Sequence, residues 1–533
     1  MDTAVTKNSS LIVDGRPFLA IGGELHNSSS SDPVYLAAEW QRLASVGINT
    51  VLVSVAWAEV ERTEGEFDFR VVDELVRQAR GVGLKLGVIW FGAFKNALST
   101  YAPTWVRADT ARFPRAELQE EPLPTPFSYA GSMAKPALSA FSPELVAADA
   151  RAFAAFIGHL TAIDDAGTVI MIQVENEIGL LGSARDRSAP ALAAWNAAVP
   201  DVVVELARND PDALPAGIAE AVLAAPAGAA WSQLAGNDDD IQETFMAWAF
   251  GSYVETIAAP VRSSTRIPFF ANAWLGPQPG QDRPGQYPSG GPTARMLGLW
   301  QAVAPSLDWV SPDIYIDDAR PVLEAYAQRG NPLFVPESRF SAGDLFLAVG
   351  ALDAIGYCAF GLEDGREGAL FFEAARSLLA LGDRILEQRP RGNVWGFALG
   401  AHEESATHRF GDLALTVRNG PGLFARMLLD VGVQLPEPEP SPSETRPGAI
   451  PSPGDDRSFG IVIRTGPDRF IVAGQAALFD FAADEGTVEI DEVRELVLDD
   501  GELRPARFLN GDERLAIVPQ RGIGIAEVTL LRV

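Results

Sequence analysis

The sequence predicts an α/β fold, a (β/α)8 TIM barrel followed by a smaller all-β domain, and three observations carry that prediction. Eight short apolar, β-rich runs alternate with amphipathic stretches over the first two-thirds of the 533 residues. The two longest gaps between runs follow the third and fourth, where a barrel builds its site at the C-terminal ends of its strands. After residue 388 alternating runs succeed one another with no helical pattern between them.

Taken in order, the chain first offers an apolar run over 11–19, broken by Asp14-Gly15, a pair suited to a tight hairpin turn. Buried strands are expected at 18–24, 50–56, 84–91, 168–174, 267–272, 308–315, 332–337 and 354–361. Their near-continuous apolar character suits a parallel sheet covered on both faces. Helical spacing marks 35–46, 70–82 and 143–163, while insertions occupy 92–142 and 178–266. A doubly wound open sheet is the rival, disfavoured because no Gly-x-Gly-x-x-Gly follows an early strand.

The barrel is assigned to residues 1–387 and the β-rich domain to 388–533. Strands in the latter are expected near 393–399, 412–417, 460–463, 469–473, 487–490 and 526–531. Within it, 434–456 is rich in proline and acid and nearly free of apolar residues. Such a segment cannot offset its ordering entropy, so an extended or disordered loop is expected.

Composition narrows the function. Acidic residues number 71 against 42 basic, a net charge of −29. That balance excludes a nucleic-acid binder, which needs a basic face, and docking on anionic lipid. The single cysteine, Cys358, excludes an intramolecular disulfide and any Cys-rich metal site; in an apolar strand it reads as an inert buried thiol. No run of 18 uninterrupted apolar residues suggests a membrane span. The start, Met1 to Lys7, lacks an apolar h-region, so a cytoplasmic location is expected, or a periplasmic or secreted one if a leader has been removed. Neutral partners remain, with room for a homo-oligomer.

Two strand ends carry carboxylates that a core does not call for: Glu175 and Glu177 after the fourth strand, and Glu337 after the seventh. Burying an unpaired carboxylate costs several kcal/mol, so such positions need a reason. Strands four and seven face each other across an eight-stranded barrel mouth. Two facing carboxylates suit glycosidic-bond cleavage, one protonating the leaving oxygen and the other attacking the anomeric carbon, about 5–5.5 Å apart in a retaining enzyme.

The run Gln173-Val174-Glu175-Asn176-Glu177-Ile178-Gly179 resembles the Q-x-E-N-E-x-G signature of glycoside hydrolase family 35 β-galactosidases. Supporting matches are Asp14-Gly15-Arg16-Pro17-Phe18 leading into Gly22-Gly23-Glu24-Leu25-His26, then Trp57 with Glu61 and Gly65-Glu66-Phe67-Asp68-Phe69, and Pro103-Thr104-Trp105. The likeness spans about the first 385 residues, and the tail resembles an uncharacterised C-terminal domain of some bacterial members.

The resemblance implies that Glu177 is the acid/base, Glu337 the nucleophile, and that Asn176 bonds the sugar 2-hydroxyl. Strict alternation puts Glu175 and Glu177 on one face, so Glu175 competes for the acid role, and Asn176 and Glu177 reach the pocket together only at a bulge. Tyr315 is placed to bond the nucleophile, with a core tyrosine as the alternative. Trp57, Trp90 and Trp274 are candidate stacking platforms for a pyranose, or core residues. Asn96 stands seven before Pro103, where many relatives carry an acid. Glu24 and His26 are read as polar lining, since they lack further ligands for a metal; no cofactor or metal is implied. The resemblance thus implies a retaining β-galactosidase acting on neutral oligosaccharides, with galactosylated xyloglucan fragments as a plant cell-wall example. β-Glucosidase, β-xylosidase or mannanase specificity, or a non-catalytic carbohydrate-binding barrel, are the alternatives.

Overall fold

The computed structural model describes residues 4–5, 10–125, 137–400, 402–435, 444–450, 457–499 and 501–533. Most of the loop expected at 434–456 lies outside the described residues.

Eight parallel strands form the first sheet: β1 (Ala20–Glu24), β2 (Thr50–Ala56), β3 (Lys85–Lys95), β4 (Val169–Asn176), β5 (Phe269–Ala273), β6 (Trp309–Pro312), β7 (Phe334–Val335) and β8 (Gly356–Phe360). Their order is β7-β8-β1-β2-β3-β4-β5-β6. The sheet closes where Ile314 bridges Ser338 in parallel: Ile314 N donates to Glu337 O at 2.8 Å and Arg339 N to Ile314 O at 3.2 Å. It is a (β/α)8 barrel, and each expected strand has its counterpart.

The period-2 geometry of a strand explains why the runs are apolar throughout. In β2, Val51, Val53 and Val55 pack outward under the helices, while Leu52 and Ala56 face the lumen. The lumen is filled by side chains such as Ile89, Phe91, Met171, Phe270, Trp309 and Phe334, joined by Leu11 and Val13 of the opening hairpin. That hairpin pairs Leu11–Val13 with Arg16–Phe18 through Asp14 (φ 53°) and Gly15 (φ 76°), the left-handed pair a two-residue turn needs.

The helices are set by caps and stripes. Pro33–Ser45 is capped by Asp32, which accepts from Val34 N at 2.8 Å. Arg70–Gly81 buries Val72, Leu75, Val76 and Ala79, a 3–4-residue stripe. Pro143–Ile163 is long and apolar enough to cross a membrane by composition. It nevertheless buries Leu145, Phe153, Phe156 and Leu160, with Phe153 packed edge-on against Trp90 and Phe269.

After the helix Gly382–Gln388 comes the second assembly. A six-stranded sheet orders Val394–Ala398, Phe459–Gly466, Arg469–Gln475, Gly524–Arg532, Val488–Asp499 and Glu502–Phe508. A three-stranded sheet of Ser405–Phe410, Leu413–Asn419 and Ala477–Ala483 packs beside it through Phe397, Leu415, Val462, Phe470 and Phe481. It joins the barrel along the helix Ala342–Ala351, where a Cβ on Gly350 would meet Gly396 Cα at 2.5 Å. Three of these strands and the helix Gly420–Asp430 depart from the expected layout. Ser405–Phe410 presents mostly half-buried or exposed polar side chains, Glu502–Phe508 is almost wholly exposed and interrupted by Pro505, and the helix opens on Gly-Pro-Gly, which reads as a turn.

Candidate active site

The ends of β3 and β4 leave regular geometry together. The register between them slips between Trp90 and Lys95, and four non-glycine residues take left-handed backbone: Asn96 (φ 52°), Ala97 (φ 53°), Glu175 (φ 63°) and Glu177 (φ 43°). Such conformations persist only where surroundings over-determine them. Here Asn96 N and Ala97 N each donate at 3.1 Å, to Asn176 O and Glu177 O respectively. The kink breaks alternation, turning Glu175 into the wall and Glu177 into the cavity.

Glu175 meets Asp149 inside that wall. Glu175 accepts from Ala93 N at 3.1 Å and Phe94 N at 2.8 Å; Asp149 accepts from Trp90 Nε1 at 2.9 Å and Tyr253 OH at 2.9 Å. A Cβ on Gly92 would lie 2.5 Å from Glu175 Oε1, so glycine is required there for the carboxyl to fit. Burial, and then the neighbouring Asp149, hold Glu175 well above the usual carboxylate range. Two buried carboxyls in contact share a proton, and this pair pins the segment that carries Lys95 and Asn96.

The mouth opens into a cavity of about 570 Å³ lined by Glu177, Glu337, Lys95, Asn96, Tyr315 and Trp274. Three donors converge on Glu337: Asn176 Nδ2 at 3.0 Å and Asn272 Nδ2 at 3.4 Å to Oε1, and Tyr315 OH at 2.8 Å to Oε2. Glu177 accepts from Asn96 Nδ2 at 2.6 Å and shares a side-chain hydrogen bond with Asp313, while its backbone N donates to Asn272 Oδ1 at 2.8 Å. Burial first, and the charge of Glu337 second, push its carboxyl up to about 8, against the pull of Lys95.

Two further acids stand close by. Glu24 is buried in hydrogen-bonding contact with Glu337, and burial together with Glu337 holds it well above the carboxylate range. Asp313 accepts from Asn272 Nδ2 at 2.7 Å and is likewise raised, by burial and then by Glu337. Burial works against the charge of Lys95, but Glu337, Glu177, Glu24 and Asp313 together raise its pKa. Its ammonium is the cation balancing the cluster, 5.2 Å from the Phe91 ring centre. Among the described residues no group of three His, Cys, Asp or Glu is spaced to hold a metal ion.

The structure therefore brings Glu177, Glu337, Asn96, Tyr315 and Trp274 to one cavity, with Glu24 and Asn176 packed behind Glu337. Other expected positions differ. Trp57 is not a sugar platform: it is fully buried, its Nε1 donates to Glu61 Oε2 at 2.7 Å, and it packs edge-on against Trp105. The strand ends there in the turn Trp57–Val60, which carries the indole under the helices. Trp90 is likewise core. His26 turns from the main cavity to Asp364, with Nε2 2.7 Å from Oδ2.

Sequence reasoning did not single out Lys95, Asp313 and Asn272 as site residues. Their signal was a polar residue at or within an otherwise apolar strand end, the same signal that Glu177 and Glu337 gave.

A family model described as a domain of unknown function (DUF5597) matches residues 376–518. No curated protein matches the chain. Among solved structures, a β-galactosidase from the psychrophilic Marinomonas ef1 is similar at 12% identity and TM-score 0.44, over 68% of this chain and 60% of its own. The catalytic domain of a β-amylase from Paenibacillus polymyxa shares 12% identity at TM-score 0.42, covering 64% of this chain and 92% of its own. A polyextremophilic β-galactosidase from the Antarctic haloarchaeon Halorubrum lacusprofundi shares 14% identity at TM-score 0.42, over 69% and 58%. The chain thus spans about three-fifths of the length of these two β-galactosidases.

Proposed function

We propose that the protein is a retaining glycoside hydrolase that removes terminal β-D-galactose from neutral oligosaccharides, plant cell-wall fragments of xyloglucan type among them. One observation carries the reading. A single cavity holds two carboxyls in opposite settings: Glu177, pushed up to about 8 and so protonated near neutrality, and Glu337, ringed by three donors. A carboxyl that keeps its proton, facing one held in place by several donors, suits an acid and a nucleophile.

The chemistry follows from those settings. Glu177 gives its proton to the glycosidic oxygen as the bond to the anomeric carbon breaks. A Glu337 oxygen forms the new bond to that carbon, giving a glycosyl ester. Glu177, now a carboxylate, takes a proton from water, whose oxygen displaces Glu337 and restores both groups. Tyr315 and Asn176 orient the attacking carboxylate, and Lys95 offsets the acid cluster. Galactose as the glycone rests on the signature around Gln173–Gly179 and its supporting motifs. A panel of nitrophenyl glycosides tests the reading. Turnover of the β-galactoside above the β-glucoside, β-xyloside and β-mannoside is expected. Preference for another sugar would overturn the specificity, and no turnover of any would overturn the class.

A further inference from the structure

Glu24 is the last residue of β1, and the strand that delivers it is hemmed in by its neighbours. A Cβ on Gly22 would collide with Thr50 O, and one on Gly23 with Ala359 O. Just beyond, Leu25 N donates to Leu52 O at 3.0 Å. Backbone on both sides thus fixes the Glu24 carboxyl, which stands in hydrogen-bonding contact with Glu337. Two carboxylates cannot make such a bond, because each offers only acceptors; one of the pair carries a proton. The other donors decide which. Glu337 accepts from Asn176 Nδ2, Asn272 Nδ2 and Tyr315 OH. Apart from Glu337, no donor among the described residues reaches either oxygen of Glu24, which is 1% exposed. A buried carboxylate without donors is costly, whereas a neutral carboxyl is served by one acceptor for its O–H.

We infer that Glu24 is a positioning residue for the nucleophile, a neutral carboxyl whose O–H is the fourth donor on Glu337 and holds that side chain whenever it is free of sugar. The inference rests on the glycoside hydrolase reading and adds to it a group that does not line the cavity. Burial and then Glu337 favour the neutral form of Glu24, and Glu177 acts in the same direction against the charge of Lys95. Asp313, Tyr315 and Cys358 are the other titratable groups that feel it. The effect on the reaction has a direction. A hydrogen bond to an anion is roughly twice as strong as one to a neutral acceptor. Attack turns the Glu337 carboxylate into an ester, and the bond from Glu24 weakens. When water displaces Glu337 from the anomeric carbon, the carboxylate returns and the bond strengthens again. The proton stays on Glu24 throughout. Glu24 therefore favours the departure of Glu337 from the sugar, the second half of the reaction.

The test uses dinitrophenyl β-galactoside, whose leaving group departs readily enough for hydrolysis of the ester to set kcat. Glu24→Leu removes the donor and keeps much of the bulk. Its kcat and KM should fall together, each by about tenfold, as the ester accumulates, while kcat/KM changes by less than about threefold. Glu24→Gln, whose amide N–H can still donate to Glu337, should recover most of that loss. A second readout needs no turnover: the infrared difference spectrum between the native protein and Glu24→Gln at pH 7 should contain the C=O stretch of a neutral carboxyl. Absence of that band, Glu24→Gln as slow as Glu24→Leu, or a loss of kcat at unchanged KM would overturn the role of Glu24 while leaving the hydrolase reading intact. The band and the Glu24→Gln kinetics decide even where Glu24→Leu does not fold. An unmutated enzyme that cleaves no glycoside would instead overturn the hydrolase reading and the positioning role with it, and the band would then report only where the proton lies.

Discussion

Replacing Glu177 by Gln removes one proton and keeps the shape. The Asn96 Nδ2 bond, 2.6 Å long, survives on the amide oxygen, so the cavity should stay in place. A carboxyl near 8 is roughly nine-tenths protonated at pH 7 and about one-tenth at pH 9. With the native residue, kcat/KM should therefore fall about tenfold per pH unit above about 8, because kcat/KM reports the free enzyme. General acid catalysis contributes about 10²–10⁴-fold, or about 2.7–5.5 kcal/mol. Glu177→Gln should lose that much on an alkyl or sugar leaving group. It should lose less than about tenfold on dinitrophenyl galactoside, which departs without a proton. The alkaline limb should vanish in the variant. The assay is a kcat/KM profile across pH for both substrates. An unchanged alkaline limb in Glu177→Gln, or equal losses on both leaving groups, would refute the assignment.

The same shift carries a stability consequence. The native state holds the Glu177 proton more tightly than the unfolded chain, so its contribution is full below pH about 4.5 and falls as pH rises towards about 8. Melting curves should show the Glu177→Gln variant gaining on the native protein between about pH 5 and about pH 8; a constant difference would contradict the shift. Glu337→Ala should lose turnover on an aryl galactoside and regain it with azide, which attacks from the vacated space to give the α-glycosyl azide; full activity without azide would reject the nucleophile. Glu175→Gln keeps one acceptor oxygen and turns the other into an NH2 group, so one of the two bonds from Ala93 N and Phe94 N is lost, costing about 1–3 kcal/mol. A lower Tm together with a lower kcat/KM is expected, and unchanged values of both would remove its positioning role. Trp57→Phe should cost about 1–3 kcal/mol by stranding Glu61 Oε2 and leave KM alone; a raised KM at unchanged Tm would return the indole to the sugar site.

The barrel was legible because its strands are buried on both faces and so carry unbroken apolar runs. β2 and β4 are clear in sequence for that reason. Ser405–Phe410 was not, because a strand with exposed polar residues carries little hydrophobic signal, nor was Glu502–Phe508, an exposed edge strand interrupted by Pro505. In the site, the strand-end carboxyls were visible as anomalies, but orientation was not. Trp57 and Trp274 both follow apolar strands, and only the helical turn after β2 buries the first while the second lines the cavity. Glu175 and Glu177 share a face in any regular strand. The two positive φ angles that separate them come from contacts with Asn96 and Ala97 about 80 residues away. Lys95 acquires its meaning from four acids on four other strand ends, a relation that only the closed barrel creates.

The most direct test of the pairing of Glu177 with Glu337 is covalent trapping. A 2-deoxy-2-fluoro-β-galactoside with a good leaving group should form the glycosyl ester faster than water resolves it. Intact mass should rise by one fluorosugar, and peptide mapping should place it on Glu337. No adduct, or an adduct on Glu24, Glu175 or Asp313, would contradict the account.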